Sequence, residues 1–425
     1  MITDPDAKEP LLNFGEANAA PKVSLPRGRR LRKRPAPGAN RFWSVMFPVL
    51  VIAAAVLVFA VWRYGTKLVL DSNAGERIET ITDPSAPGYK AFVAPTPTLL
   101  IAHLDDGGEL VGLTIMAQTA LQQGGTAVVV SAEMLLPSEV DPDESILVRE
   151  LYANDGLEGL SRVVGDLFGF GFTDRIALDS SALSNYLRFV EPLVLVLPDD
   201  LVEIGDNGIR QVVFRAGERR LGAVQAAAVY GWLNPGEFDA NRTERQRALW
   251  ESWFDGVTKL ADQQTTSPAG ADVLSDYLWA FAGGNRRLEV LPLQAVLTDG
   301  DDLPVYTVTT EHIEYLKLLA KEIVPLPIAP YAGARPRVSL LDGTGIGTLR
   351  DTMLPVLVDA GAEVTVIGNV ASFGVAETTV DYHVVEHRNA ANTLADAIGA
   401  SVRFVEDLNQ PVDLTVTVGL DRVGS

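Results

Sequence analysis

The feature that most constrains this chain is an uncharged apolar stretch of twenty-one residues, 42–62. An α-helix rises about 1.5 Å per residue, so roughly 20 such residues cross a hydrocarbon layer of ~30 Å. Trp43 and Trp62, near the two ends of the stretch, suit the two membrane interfaces. The alternative is a cleaved signal peptide, which usually has a shorter apolar region after a short n-region. Because 41 residues precede this stretch, we predict a permanent transmembrane helix.

The charges on either side of that stretch predict its orientation. Residues 1–41 carry nine basic and four acidic side chains, whereas the whole chain has a net charge of −20. Lys and Arg favour the cytoplasmic side of a membrane span. We therefore expect a disordered basic tail in the cytosol (1–41), a transmembrane helix (42–62), and the bulk of a cell-membrane protein outside the cytosol.

Composition excludes several classes of function. The chain has no cysteine, so it forms no disulfide and has neither a thiolate metal site nor a cysteine nucleophile. Its acidic balance argues against nucleic acid as a partner, since phosphate neutralisation needs a positive surface. The basic run at 27–35 lies beside the predicted span, where a role in topology next to anionic lipid is the better interpretation. The lipid bilayer is the partner that these features predict.

The exported part alternates strand and helix patterns. A polar segment rich in Pro and Gly predicts a stalk at 63–95. Short apolar runs separated by glycine pairs then predict strands, and apolar residues at three- and four-residue steps predict helices. The strands are expected at 98–105, 110–117, 126–132 and 193–198, and the helices at 157–167, 181–190 and 241–257. This order predicts an α/β domain with a central mixed sheet over 96–262.

A second, smaller domain is predicted near the end of the chain. Residues 263–335 mix short helix signals with prolines and predict a connecting region and linker. From residue 336 to 421, strand and helix patterns alternate around a glycine turn at 343–347, which predicts a small C-terminal α/β domain. Within it, His383, Glu386 and His387 have the spacing of a zinc-protease motif. Their surroundings alternate with a period of two, so we interpret them as a solvent-exposed strand edge and predict no metal site.

Several phrases resemble the LytR–CpsA–Psr family of bacterial cell-envelope proteins. The stretch ELYANDGLEGLSRVVGDLFGFGFTDRIALDSSALSNYLRFVEPLVLVLPDDL is similar to the centre of its catalytic domain. FDANRTERQRALW resembles the family motif in which an aspartate precedes two arginines and a glutamine. SLLDGTGIGTLRDTMLPVLVDAGAEVTVIGN is similar to the opening of the LytR C-terminal domain, which would cover 336–421. The resemblance extends over most of the exported chain.

The resemblance implies a ligand and a set of binding residues. Enzymes of this family are understood to transfer an undecaprenyl-pyrophosphate-linked glycopolymer to peptidoglycan. Such chemistry needs guanidinium groups to hold the pyrophosphate and a carboxylate that binds Mg²⁺ or deprotonates the acceptor. Carried over by position, Asp239, Arg242, Arg245 and Gln246 are the candidate ligand-binding residues. A solvated helix face is the alternative interpretation of the same pattern.

This chain departs from the family pattern at three places. Pro97 stands where the family has an aspartate before its first strand. Ala132, Glu133 and Met134 stand where the second strand should end in Pro-Arg-Asp. The family's Tyr-x-Arg is Tyr230-Gly231-Trp232 here. The arginines that the family has at the second and third of these places are thus missing. Losing oriented cations at a transferring phosphoryl group lowers the rate of transfer on the order of 10³-fold or more.

The sequence therefore favours a degenerate, non-catalytic or weakly active protein that binds a polyprenyl-phosphate-linked glycan, peptidoglycan or a wall-assembly partner. No catalytic residue is assigned, no cofactor is expected, and Mg²⁺ would be needed only by an active enzyme. One alternative is an active phosphotransferase in which Glu133, Asp105 or Arg215 replace the lost groups. Another is a structural spacer, without an apolar tunnel for a lipid.

Overall fold

The computed structural model describes residues 81–119, 123–137, 145–205, 207–262, 272–297, 303–407 and 410–423. All of them belong to one compact unit, residues 80–425. The predicted cytosolic tail, the transmembrane helix at 42–62 and the start of the predicted stalk lie outside the described residues. Within those ranges, no helix combines the length and the apolar character that a membrane crossing requires.

The elements confirm the predicted α/β class. The strands are β1 (Lys90–Phe92), β2 (Thr98–Leu104), β3 (Leu110–Gln118), β4 (Gly124–Val130), β5 (Met134–Pro137), β6 (Ser145–Leu147), β7 (Asp174–Leu178), β8 (Leu193–Leu197), β9 (Leu201–Ile204), β10 (Arg210–Phe214), β11 (Gly217–Leu221), β12 (Asn285–Val290), β13 (Gln294–Val296), β14 (Val305–Thr307), β15 (Arg337–Asp342), β16 (Glu363–Asn369), β17 (Thr379–Tyr382), β18 (Ser401–Phe404) and β19 (Leu414–Val418). The α-helices are α1 (Val148–Phe168), α2 (Ser180–Leu187), α3 (Ala223–Gly231), α4 (Asp239–Asp262), α5 (Val273–Ala282), α6 (Thr310–Ile323), α7 (Gly347–Asp359) and α8 (Arg388–Ile398).

A five-stranded mixed sheet forms the centre of the first domain, in the order β12-β4-β3-β2-β7. The inner pairs are antiparallel, and the two outer strands run parallel to their neighbours. Strands β3 and β4 are buried along their whole length, because helices cover both faces of the sheet. Helices α2 to α5 pack on one face, and α1 and α6 pack on the other. The predicted strands at 98–105, 110–117 and 126–132 are confirmed.

Helix α1 shows how glycine shapes the helical layer. Gly156 interrupts it with a φ of 66°, in the left-handed region that favours glycine. Gly169 ends the helix at a φ of 76°, and its N–H donates to the carbonyl of Asp166. The helix therefore ends at a glycine that adopts the left-handed conformation.

Residues beyond the predicted domain end at 262 complete this first domain. Strand β12 pairs in parallel with β4, and β14 pairs with β5 in a separate four-stranded sheet. Apolar side chains of α5 and α6 belong to the two cores on opposite faces of the central sheet. Much of the segment predicted as a connecting region, 263–335, is thus integral to the domain, because its apolar residues find their burial there.

The C-terminal domain is built on a six-stranded mixed sheet with the order β1-β16-β15-β19-β17-β18. Helices α7 and α8 cover one face. The predicted glycine turn joins β15 to α7, where the Asp342 carboxylate accepts N–H groups from Thr344 and Gly345. Edge strand β1 comes from the segment predicted as a stalk and pairs antiparallel with β16. The buried Asn369 side chain also donates to the carbonyls of Pro84 and Ala86.

The two histidines of the zinc-protease spacing lie in different local structures. His383 lies directly after β17 and is buried, with ring nitrogens 3.0 Å from the Val405 carbonyl and 3.0 Å from the Thr415 hydroxyl. His387 lies in a short 3-10 helix. The interpretation as a solvent-exposed strand edge is therefore wrong for His383, whose side chain is held in the interior by two polar partners.

Candidate functional site

Helix α4 carries all four candidate binding residues near its N-terminus. Asp239, Arg242, Arg245 and Gln246 are all buried. Their spacing brings them to the side of the helix that packs toward the central sheet. The alternative interpretation of a solvated helix face is therefore excluded for these four residues.

Asp239 and Arg242 form an internal ion pair. The Arg242 guanidinium donates from Nε to Asp239 Oδ1 at 2.6 Å, and Nη2 lies 2.5 Å from the same oxygen. The second carboxylate oxygen, Oδ2, accepts a hydrogen bond from the hydroxyl of Ser131, which follows β4. Both oxygens of Asp239 are thus engaged by partners within the chain.

The guanidinium of Arg245 has more hydrogen-bond partners within the chain than that of Arg242. Its guanidinium donates to both carboxylate oxygens of Glu237, at 2.6 and 3.0 Å, and to the carbonyl of Trp232 at 2.6 Å. The exposed fraction of the side chain is 0% for Arg245 and 5% for Glu237. Burial acts to raise the pKa of Glu237, but hydrogen bonds from Arg245 and the Asn234 N–H outweigh it, and the pKa is lowered. Glu237 is therefore a carboxylate that balances a buried cation.

Gln246 has a packing role between chain segments. Its Nε2 donates to the carbonyl of Val111 at 2.9 Å and to that of Tyr230 at 3.3 Å. A Cβ placed on Gly112 would lie 2.6 Å from Gln246 Oε1, so a larger residue there would displace this amide. Gln246 thus ties α4 to β3 and α3.

Glu133 lies at the edge of the Asp239–Arg242 pair. Burial raises the pKa of its carboxyl, while the nearby charges of Arg149 and Arg242 lower it and that of Asp239 raises it. Arg149 forms the direct ion pair, at 3.1 Å. Of the three residues suggested as replacements for lost catalytic groups, Glu133 alone has a described interaction with the cluster. Asp105 organises its own turn by accepting N–H groups from Gly107 and Glu109, and Arg215 is exposed.

A cluster of aromatic side chains follows the two arginines along α4 and packs against the central sheet. The rings of Trp250 and Trp253 stack with centroids 4.7 Å apart, and Trp250 also packs against Phe254. Trp250 Nε1 donates to Thr114 Oγ1 at 2.9 Å, and His103 Nε2 lies 3.2 Å from the same hydroxyl. Burial lowers the pKa of His103 to about 3. These side chains fill the layer between α4 and the sheet, and His103 is a neutral core residue.

The donor set does not fit Mg²⁺. Magnesium requires several oxygen ligands around it in near-octahedral geometry, but both Asp239 oxygens are already hydrogen-bonded. Among the described residues, no group of three or more His, Asp or Glu side chains could hold a metal ion. We therefore derive no step through a metal at this site.

Three contributors to the cluster had no signal in the sequence pattern. Ser131 follows a buried strand, and Glu237 lies in the loop before α4. Tyr306 comes from β14, and its hydroxyl accepts the N–H of Ala240 at 3.0 Å. Burial raises the pKa of Tyr306. The fold brings Ser131 and Tyr306 to the start of α4 from distant segments, and the conformation of the preceding loop places Glu237 there.

The C-terminal part of the chain matches a protein-family model. Residues 335–421 match the family model described as LytR cell envelope-related transcriptional attenuator, LytR_C. This match confirms the LytR C-terminal domain that the sequence predicted at 336–421. A search of the curated proteins finds no match to this chain.

Several solved structures are similar to the chain. Bacillus subtilis TagV is 13% identical, with 54% of this chain and 96% of that chain covered and a TM-score of 0.41. The LytR-CPS2A-psr family protein YwtF (TagT) with bound octaprenyl pyrophosphate lipid is 11% identical, with 59% and 95% covered and a TM-score of 0.41. The LytR-Csp2A-Psr enzyme from Actinomyces oris is 14% identical, with 55% and 94% covered and a TM-score of 0.41.

Proposed function

We propose that this chain is a membrane-anchored, extracytoplasmic cell-envelope protein whose LytR–CpsA–Psr-like domain serves a binding or accessory role without transferring a glycopolymer. Its ligands would be polyprenyl-linked glycan precursors, wall polymer or a wall-assembly partner. The anchor would be residues 42–62, with the N-terminus in the cytosol. The LytR C-terminal domain supports an assignment to the cell envelope.

The observation that carries the non-catalytic role is the internal pairing of both motif arginines. A pyrophosphate must be held by cations that are free to reach it. Here Arg242 is committed to Asp239, and Arg245 to Glu237 and a backbone carbonyl. Freeing either guanidinium would leave a carboxylate unpaired in the interior, which is strongly unfavourable. The site is therefore poorly suited to stabilise charge on a transferring phosphoryl group.

A specific observation keeps the active phosphotransferase as a second candidate. Glu133 is partly buried, is influenced by the charges of Arg242 and Asp239, and has a raised pKa because of its burial. A carboxyl of that kind is suited to accept a proton from an attacking hydroxyl. In this alternative Glu133 would be the general base, and the Asp239–Arg242 pair would have to open when substrate binds.

The test uses the full chain purified in detergent and supplied with a polyprenyl pyrophosphate and Mg²⁺. We expect no phosphate release above that of the buffer. Arg242→Ala and Arg245→Ala are the informative variants, and Arg247→Ala is the matched control, because Arg247 is a partly exposed arginine on the same helix. Release that collapses in the first two variants and survives in the control would reject the accessory role.

A further inference from the structure

A groove lies on the face of the C-terminal sheet that α7 and α8 leave uncovered. Its volume is about 250 Å³, and it runs between edge strand β1 and the segment at 410–412. The strand register places Phe92, Val366, Ser339 and Thr415 in one row across β1, β16, β15 and β19. This row forms the floor and one wall of the groove.

In the neighbouring row, a glycine lets strand β1 lie close to β16. Lys90 of β1 is paired with Gly368 of β16, which is paired in turn with Leu341 of β15. A Cβ on Gly368 would lie 2.3 Å from the Tyr89 carbonyl, so the close approach of the β1 segment requires glycine there. The same Cβ would lie 3.1 Å from the Cγ of Lys90, so the stem of this lysine occupies the space above residue 368.

The groove presents polar and aromatic groups that the protein itself does not use. Phe92 is 90% exposed, although a ring of its size gains much by burial. The hydroxyl of Ser339 and the ammonium of Lys90 have no hydrogen-bond or ion-pair partner among the described residues. Lys90 is also the one charged side chain among the described residues that line the groove. An unpaired cation in an acidic protein favours an anionic ligand.

We propose that the groove beside β1 is a binding site for an acidic saccharide. The apolar C–H face of a sugar ring would lie against Phe92, since the electron-rich face of an aromatic ring attracts positively polarised hydrogens. Sugar hydroxyls would exchange hydrogen bonds with Ser339, whose hydroxyl both donates and accepts. The acidic group of the sugar would pair with Lys90.

A peptide strand added along the free edge of β1 is the competing occupant. That edge is only three residues long, so it offers few backbone hydrogen bonds for strand addition. The unused groups are side chains on the open face, not backbone groups at the edge. The saccharide therefore accounts for more of the observed groove than a peptide does.

This inference rests on the proposed function only for the cell-envelope location, because the groove lies in a different domain from α4. The experiment uses the full chain in detergent and two lipid-free probes. One is a tetrasaccharide of alternating N-acetylglucosamine and N-acetylmuramic acid, and the other is the uncharged N-acetylglucosamine tetramer. Isothermal titration would give the two dissociation constants. Because neither probe contains a polyprenyl or a diphosphate, the outcome of this titration is independent of the phosphate-release test.

We expect the acidic probe to bind more tightly than the uncharged one. Phe92→Ala should weaken both about tenfold, and Lys90→Gln should abolish the preference for the acidic probe. Phe404→Ala is the matched control, since Phe404 is 47% exposed and lies on β18 of the same sheet. Absence of saccharide binding, or binding that neither Phe92→Ala nor Lys90→Gln changes, would overturn the proposal. So would displacement of the saccharide by an extended peptide that binds along β1, once circular dichroism has shown that each variant is folded.

Discussion

The start of α4 and the groove beside β1 both contain cationic side chains, but those at α4 are buried and paired, whereas the one at β1 is exposed and unpaired within the described part of the chain. At α4, two arginines and two carboxylates are buried and paired with one another. At β1, a lysine and a phenylalanine are exposed and lack partners among the described residues. The residue types of α4 match a ligand-binding motif, but their pairing is that of a polar core. The difference shows that a motif indicates a binding site only if its charges remain open to a ligand.

The most severe test of this comparison is to break the Arg245–Glu237 pair. Glu237→Leu leaves the Arg245 guanidinium buried without its carboxylate. Breaking one partner of a buried pair costs about 3–5 kcal/mol, so the free energy of unfolding should fall by that amount. Denaturant unfolding followed by tryptophan fluorescence would measure it.

Two further variants sharpen the interpretation of that loss. Glu237→Leu combined with Arg245→Met replaces the whole pair with apolar groups and should recover most of the stability. Asp381→Ala breaks an ion pair with Arg403, whose side chain is 56% exposed, and should cost less than about 1 kcal/mol. If Glu237→Leu costs no more than Asp381→Ala, Arg245 is free to turn toward a ligand, and the interpretation of a polar core fails.

We expect a smaller change in the free energy of unfolding when the pH is lowered, because His103 is buried in its neutral form. Its folded-state pKa of about 3 lies below the ordinary value of 6.5, so the unfolded chain binds a proton first as the pH falls. The stabilisation is fully present above pH 6.5 and is lost as the pH decreases toward 3. When the unfolded chain binds one proton more than the folded chain, the free energy of unfolding falls by about 1.4 kcal/mol for each unit that the pH decreases. Urea unfolding of the full chain between pH 7 and 4.5 should show this slope, and His103→Gln should reduce it by that amount. An unchanged slope in the variant would mean that His103 is hydrated and titrates normally.

The fold was largely predictable because it follows from local periodicity. Runs such as 110–117 and 126–132 are almost continuously apolar, as strands buried on both faces usually are, and they form β3 and most of β4. The LytR C-terminal domain was also recognisable, because its opening stretch resembles that of the family. The role of β1 was not, because Lys90–Phe92 is too short for a periodic signal and its strand pairing is with β16, far along the chain.

The state of the site was not predictable for a related reason. The spacing of Asp239, Arg242, Arg245 and Gln246 predicts that they share a helix, but it does not say which way the helix faces. Burial here depends on Trp250 and Trp253, which draw α4 against the sheet. The partner of Arg245, Glu237, lies only eight residues away, yet a loop conformation decides whether the two meet. Pairing is a tertiary property, and the sequence pattern contains only the candidates.

The smallest expected effect concerns the exposed side of the comparison. Phe92→Ala should change the free energy of unfolding by less than about 0.5 kcal/mol, since a surface side chain contributes little to stability. Phe281→Ala, which removes a fully buried ring, should cost about 3–5 kcal/mol and serves as the reference in the same denaturant experiment. If Phe92→Ala instead costs more than 1 kcal/mol, the ring packs on its own domain in solution and is unavailable as a platform for a sugar. A near-zero change in the free energy of unfolding, combined with weakened saccharide binding, would show that the groove beside β1 contributes to ligand binding and not to stability. The buried pairs of α4 would show the opposite pattern.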